Sequence, residues 1–148
     1  MLKNIDPILG PELLSILRAM GHGDDIAIVD ANFPATSSAK RLVRMDGLTA
    51  PRVVRAVLNV LPLDTFVPNA AFRMAVVDNP NDIPPITKEF ESLLAAAGYH
   101  GEIEAVERFA FYERARNSYA VVATGERRYW GNLILKKGAI PPDDRWPS

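Results

Sequence analysis

The 148-residue chain has no cysteine. That excludes disulfides, thiolate metal sites and thiol catalysis. It has two histidines, with no helical His–His pairing, which argues against a dedicated zinc site. Net charge is also scarce: 17 Lys and Arg against 18 Asp and Glu leave a formal charge of -1. A nucleic-acid partner usually calls for a basic face, and the near-zero net charge gives no electrostatic case for one. No apolar run approaches the roughly 18 residues that span a bilayer, and no basic amphipathic stretch suits a membrane surface. The opening Met1-Leu2-Lys3-Asn4-Ile5-Asp6-Pro7 lacks the apolar core of a signal peptide. Together these absences predict a cytoplasmic protein without nucleic-acid or membrane partners. Internal repeats and linkers are missing too, so the 48% hydrophobic content serves one core in a single domain.

Chemistry concentrates between Ala19 and Pro34. An imidazole stands between two glycines in Gly21-His22-Gly23, where the backbone is free to adopt conformations closed to other residues. Histidine exchanges protons near neutrality. The apolar Ile26-Ala27-Ile28-Val29 then leads to Asp30, where a strand hands over to a loop, a common place for binding groups on α/β scaffolds. Taken alone, Gly21 serves equally well as a helix stop and Asp30 as a turn residue. His100, in Gly98-Tyr99-His100-Gly101, reads as a loop apex without a role.

Along the chain, Pro11 and Glu12 start a helix carrying Leu13, Leu14, Leu17 and Met20 at helical spacing. Asp25–Asp30 reads as a buried strand, 31–38 as a loop and Leu42–Met45 as a short strand. Thr49 caps a helix with a core stripe of Val53, Val54, Val57, Leu58 and Leu61 and a solvated face at Arg52 and Arg55. A strand over 70–77 and a helix over 85–97 follow. Next come a strand over 102–108, a helix over 109–117, a strand over 119–124 and a last strand over 129–135. Pro141 onward reads as a poorly ordered tail. The alternation predicts an α/β fold with helices packed on a central sheet.

Four segments, in order, resemble the L-fucose mutarotase and D-ribose pyranase (RbsD/FucU) family over residues 1 to about 140. They are the opening M-L-K-N-I-D-P-I-L-G-P-E-L-L, G-H-G-D-D with D-A-N-F-P, R-F-A-F-Y-E-R-A, and T-G-E-R-R-Y-W-G-N-L-I-L-K-K-G. Arg108 resembles the fucose branch, since the ribose branch has histidine at that position. The resemblance implies a mixed central sheet of the RbsD type, a homo-oligomeric decameric ring with sites between subunits, a monosaccharide substrate, and no metal or other cofactor. It implies His22 as proton donor, Asp30 and Arg108 as sugar-binding groups, and Trp130, Gly131 and Asn132 as the three consecutive positions that finish the pocket.

The implied reaction is mutarotation, in which one proton leaves the anomeric hydroxyl and another reaches the ring oxygen. Phe33 and Trp130 offer aromatic faces to a pyranose. Trp130 replaces the usual tyrosine, and on a strand Tyr129 would face the opposite way. His22 and Asp30 are eight positions apart, and at about 3.3 Å per residue an extended run separates them by roughly 20 Å or more. Either the Gly23-Asp24-Asp25 loop folds back over the sheet or a neighbouring chain completes the site, and the rings with pockets between subunits that the resemblance implies favour the second. The competing readings are pyranose–furanose interconversion of the ribose type, a non-catalytic monosaccharide-binding protein, and an interaction domain.

Overall fold

A computed structural model describes residues 1–142. The tail expected from Pro141 falls outside the described residues from position 143 onward. Eleven elements alternate along the chain: α1 (Pro11–Ala19), β1 (Asp25–Val29), α2 (Ala35–Ser38), β2 (Leu42–Met45), α3 (Ala50–Leu58), β3 (Ala71–Met74), α4 (Pro85–Ala96), β4 (Ile103–Val106), α5 (Arg108–Asn117), β5 (Ala120–Thr124) and β6 (Leu133–Lys136). The strands form one six-stranded sheet in the order β2-β5-β1-β6-β3-β4. Its parallel pairs are β1–β5, β2–β5 and β3–β4, while β6 runs antiparallel to both β1 and β3. The covering helices are those expected from the alternation of elements, and the mixed sheet is the one the family resemblance implies.

The central strands lack polar–apolar alternation because both faces are covered. Ile26, Ile28, Ala120, Val122, Leu133 and Leu135 pack against the apolar stripes of α1, α3 and α4. The intervening Ala27, Val29, Val121, Ala123 and Ile134 face α2 and α5, where they meet Phe33, Phe111 and Ala115. β4 lies at the edge of the sheet and is only partly buried. Among the described residues, no helix is long and apolar enough to cross a membrane.

Several local expectations change. Part of the expected loop over 31–38 closes into the short α2. Thr49 sits at the N-cap of α3 without a side-chain hydrogen bond. Arg52, expected in solvent, holds Asp6 with a two-pronged ion pair at 2.7 and 2.8 Å, which lowers the Asp6 pKa. Arg108 opens α5 rather than ending a strand, because Glu107 caps that helix by accepting from the N–H groups of Phe109 and Ala110. The last strand begins at Leu133, not Tyr129. The intervening residues form a turn in which Trp130 has φ +66.

α5 hangs on the sheet by Phe111, which is fully buried. Truncating it leaves a cavity. Phe111→Ala is expected to lower the unfolding free energy by about 3–5 kcal/mol, measured by urea denaturation.

Candidate active site

The antiparallel pairing of β1 and β6 places Ile28 opposite Leu133, so the residues just beyond meet at one end of the sheet. There Asp30 and Asn132 clasp each other. The Asp30 N–H donates to Asn132 Oδ1 at 2.9 Å, and Asn132 Nδ2 donates to Asp30 Oδ2 at 2.9 Å. Asp30 Oδ1 accepts from the Asn32 N–H at 3.0 Å. Both side chains are buried. Burial pushes the Asp30 pKa up, and the hydrogen bonds to its carboxylate only partly oppose that.

This clasp borders a small open pocket of about 160 Å³. Phe33 and Asn32 come from the loop after β1, Met74 from the end of β3, and Arg108 and Tyr112 from α5. Phe33 stands edge-on to Tyr112, with ring centroids 5.4 Å apart. The Arg108 guanidinium lies 4.6 Å from the centre of the Phe109 ring. Its Nε is buried and has no hydrogen-bond partner among the described residues. A rigid donor left unpaired in this way is ready for an acceptor from outside the chain.

The remaining wall is the turn between β5 and β6. The Thr124 hydroxyl donates to the Val29 carbonyl at 2.8 Å, and the Ala31 N–H donates to the Glu126 carbonyl at 2.9 Å, so the turn is tied to the end of β1. The buried Glu126 carboxylate accepts from Arg128 Nε at 2.9 Å and from the Arg128 N–H at 3.0 Å, and Arg128 also pairs with Glu89 of α4. The guanidinium holds Glu126 below the usual carboxylate range, and the two carboxylates push Arg128 further up. A Cβ on Gly131 would run into Glu126 and Ile86, so a glycine is needed where the turn crosses α4. With Trp130 in the left-handed region, Tyr129 and Trp130 both line the pocket. The expectation that they face opposite ways fails because neither lies in a strand.

Of the residues singled out from the sequence, Asp30, Arg108, Trp130 and Asn132 line one pocket, and Gly131 forms the turn between the last two. His22 lies elsewhere, in the loop before β1. Its Nε2 is 2.9 Å from Asp64 Oδ1, and its ring centroid is 5.4 Å from that of Phe66. β1 alone spans about 13 Å between His22 and Asp30. Tyr112 went unnoticed in the sequence, although it follows Arg108 by one helical turn. Met74 carried no signal, since only the folded sheet brings it here. Among the described residues, no three His, Asp or Glu side chains converge to hold a metal ion.

The model of the RbsD / FucU transport protein family matches residues 3–140. The chain is similar to the fucose mutarotase of Danio rerio, at 46% identity over 153 residues and 98% of each chain. It is similar to the fucose mutarotase of Homo sapiens, at 46% identity over 145 residues and 94% of each chain. The solved fucose mutarotase of Streptococcus pneumoniae in complex with L-fucose superposes with a TM-score of 0.89 at 40% identity, covering 95% of this chain and 100% of that one.

Asp30→Asn sets an amide NH2 against that of Asn132 and is expected to lower stability by about 1–3 kcal/mol. Because folding raises the Asp30 pKa, the stability it contributes is complete below the ordinary value of 3.8 and is lost as pH rises through the raised value. In urea denaturation across pH, the wild-type advantage over Asp30→Asn should therefore be widest at the acid end and narrow toward neutrality.

Proposed function

This chain belongs to the RbsD / FucU transport protein family, and on that premise we propose that it is a sugar mutarotase acting on L-fucose or a closely related monosaccharide. The observation that carries the reading is a pocket of single-sugar scale whose polar groups are preorganised by one another, the Asp30–Asn132 clasp beside an unpaired Arg108 N–H. Sugar hydroxyls can both donate and accept, and this set offers both. Phe33, Tyr112, Tyr129 and Trp130 supply apolar faces for the C–H side of a pyranose.

Ring opening moves two protons. We assign the anomeric proton to the Asp30 carboxylate, whose raised pKa makes it a stronger base than an exposed aspartate. The ring oxygen takes a proton from the His22 imidazolium as the C1–O5 bond breaks and C1=O1 forms. Rotation about C1–C2 turns the aldehyde over. On reclosure O5 attacks C1 and returns its proton to His22, while Asp30 gives its proton to O1. Each group ends as it began, and the sugar changes only its anomeric configuration. Arg108 steadies the oxygen charge that develops on the way.

His22 cannot reach the pocket of its own chain, so it serves the pocket of a neighbour. The ring is half-exposed beside Phe66, an aromatic side chain 78% exposed on the isolated chain. The pocket, at the far end of β1, is lined by the exposed Tyr129, and the exposed Phe109 packs beside its Arg108 and Tyr112. Two different surfaces, each incomplete alone, fit head-to-tail contact, which closes into a ring where the rotation between copies closes. We take the assembly to be the decameric ring that the family resemblance implies. Absent cysteines and a metabolic sugar substrate favour a cytoplasmic location.

The test is exchange NMR on L-fucose anomers. The wild-type protein should accelerate exchange, and His22→Ala should lower the rate by about 10²–10⁴-fold while sugar still binds. An unaltered rate in His22→Ala would remove the histidine from the reaction. No acceleration by the wild type, despite binding, would leave a sugar binder.

A further inference from the structure

We propose that Asp64 is the positioning residue for His22: its carboxylate keeps a proton on Nε2 and turns Nδ1 toward the sugar held by a neighbouring copy. The inference rests on the reading of His22 as proton carrier. Asp64 is only 4% exposed, and the imidazole it contacts is 45% exposed. Burying a carboxylate costs free energy unless it is paired. Its Oδ1 accepts from the Phe66 N–H at 3.0 Å, which fixes the carboxylate rotamer, and lies 2.9 Å from His22 Nε2. These contacts hold the Asp64 pKa below the usual range, so the group is an acceptor at neutral pH. The nitrogen facing it must then carry hydrogen in both states of the ring, and the proton that comes and goes belongs to Nδ1.

The scaffold around the pair is built for register. The Asp64 N–H donates to the Lys136 carbonyl at 3.1 Å, and Leu63 bridges Lys137. The His22 loop is tied to the same strand end, with the Gly23 N–H on the Lys137 carbonyl and the Lys137 N–H on the Asp24 carbonyl, each at 2.8 Å. Lys136 Nζ donates to the Gly23 carbonyl at 3.0 Å. Gly138 lets the Leu63–Asp64 backbone approach, since a Cβ there would meet the Leu63 carbonyl. Imidazole and carboxylate, 42 positions apart in sequence, are thus pinned to one short stretch of backbone.

In the forward step Nδ1–H passes to the ring oxygen as C1–O5 breaks, leaving a neutral ring with Nε2–H still on Asp64. Reclosure returns the proton to Nδ1. Without the carboxylate, the exposed ring can rotate and can also adopt the tautomer with hydrogen on Nδ1, which has no lone pair there to recover the proton.

Two measurements test this on the assembled protein. Long-range ¹H–¹⁵N spectra of the wild type, with His100 assigned through His100→Gln, should show neutral His22 as the Nε2–H tautomer; the Nδ1–H tautomer overturns the proposal without any variant at Asp64. In anomer exchange, Asp64→Asn should lower kcat by about 10²-fold with KM within about 2-fold, and should add no further loss to His22→Ala. A kcat within about 2-fold of wild type, or a change confined to KM, overturns it. If His22→Ala loses activity and Asp64→Asn keeps it, the positioning role alone fails. If His22→Ala keeps full activity, the histidine reading and the positioning role fail together.

Discussion

β6 is the strand on which the molecule depends. It is the last element along the chain, yet it lies between β1 and β3 near the middle of the sheet. Without it, the parallel β2-β5-β1 and β3-β4 groups would each present an open edge of unpaired backbone. Leu133, Ile134 and Leu135 are fully buried and fill both faces of the join. Its direction matters as much as its position. Running antiparallel to β1, it carries Asn132 to the end where β1 delivers Asp30, and Lys136 to Gly138 to the end where the His22 loop begins. One strand therefore supports both the Asp30–Asn132 pocket and the His22–Asp64 pair, at opposite ends.

The polar groups at each end obey one rule. A buried charge is kept only where hydrogen bonds surround it. Asp30 has the Asn132 amide and the Asn32 N–H. Asp64 has the Phe66 N–H and the imidazole. Glu126 has Arg128. The last of these also holds Trp130 in a backbone conformation that costs a non-glycine residue about 1–2 kcal/mol, and that conformation is what directs two consecutive aromatic side chains into one pocket. Local strain in the turn is offset by an ion-pair network that reaches α4, so the pocket wall is fixed by contacts outside the pocket itself.

Much of the fold could be read along the chain, because the central strands are continuous apolar runs and three helices carry a proline in their first two positions, Pro11, Pro51 and Pro85, with apolar stripes behind them. The failures fall where tertiary contacts outweigh local pattern. Tyr129-Trp130-Gly131 continues the apolar character of β6, yet Glu126 and Arg128 bend it into a turn. Arg108 follows a strand-like stretch, yet the Glu107 carboxylate starts a helix there. At the site, motif resemblance picked out Asp30, Arg108, Trp130 and Asn132, which share the pocket, while the eight-residue spacing left open whether the loop before β1 returns His22 to Asp30. The sequence offered no route to Asp64, which reads as an ordinary loop aspartate until the strand end brings it beneath the imidazole.

In the proposed assembly each reacting centre combines the pocket of one copy with the His22 of the next. Mixing two inactive variants distinguishes this from a reaction within one chain. His22→Ala keeps an intact pocket, and Arg108→Ala keeps an intact imidazole. If they are unfolded and reassembled together in equal amounts, about a quarter of the contacts in a head-to-tail ring will join a sound pocket to a sound histidine. Exchange NMR on L-fucose should then recover about a quarter of wild-type activity, whereas each variant reassembled alone stays inactive. A mixed assembly as inactive as its parents would rule out a site shared between copies and place the whole reaction within a single chain.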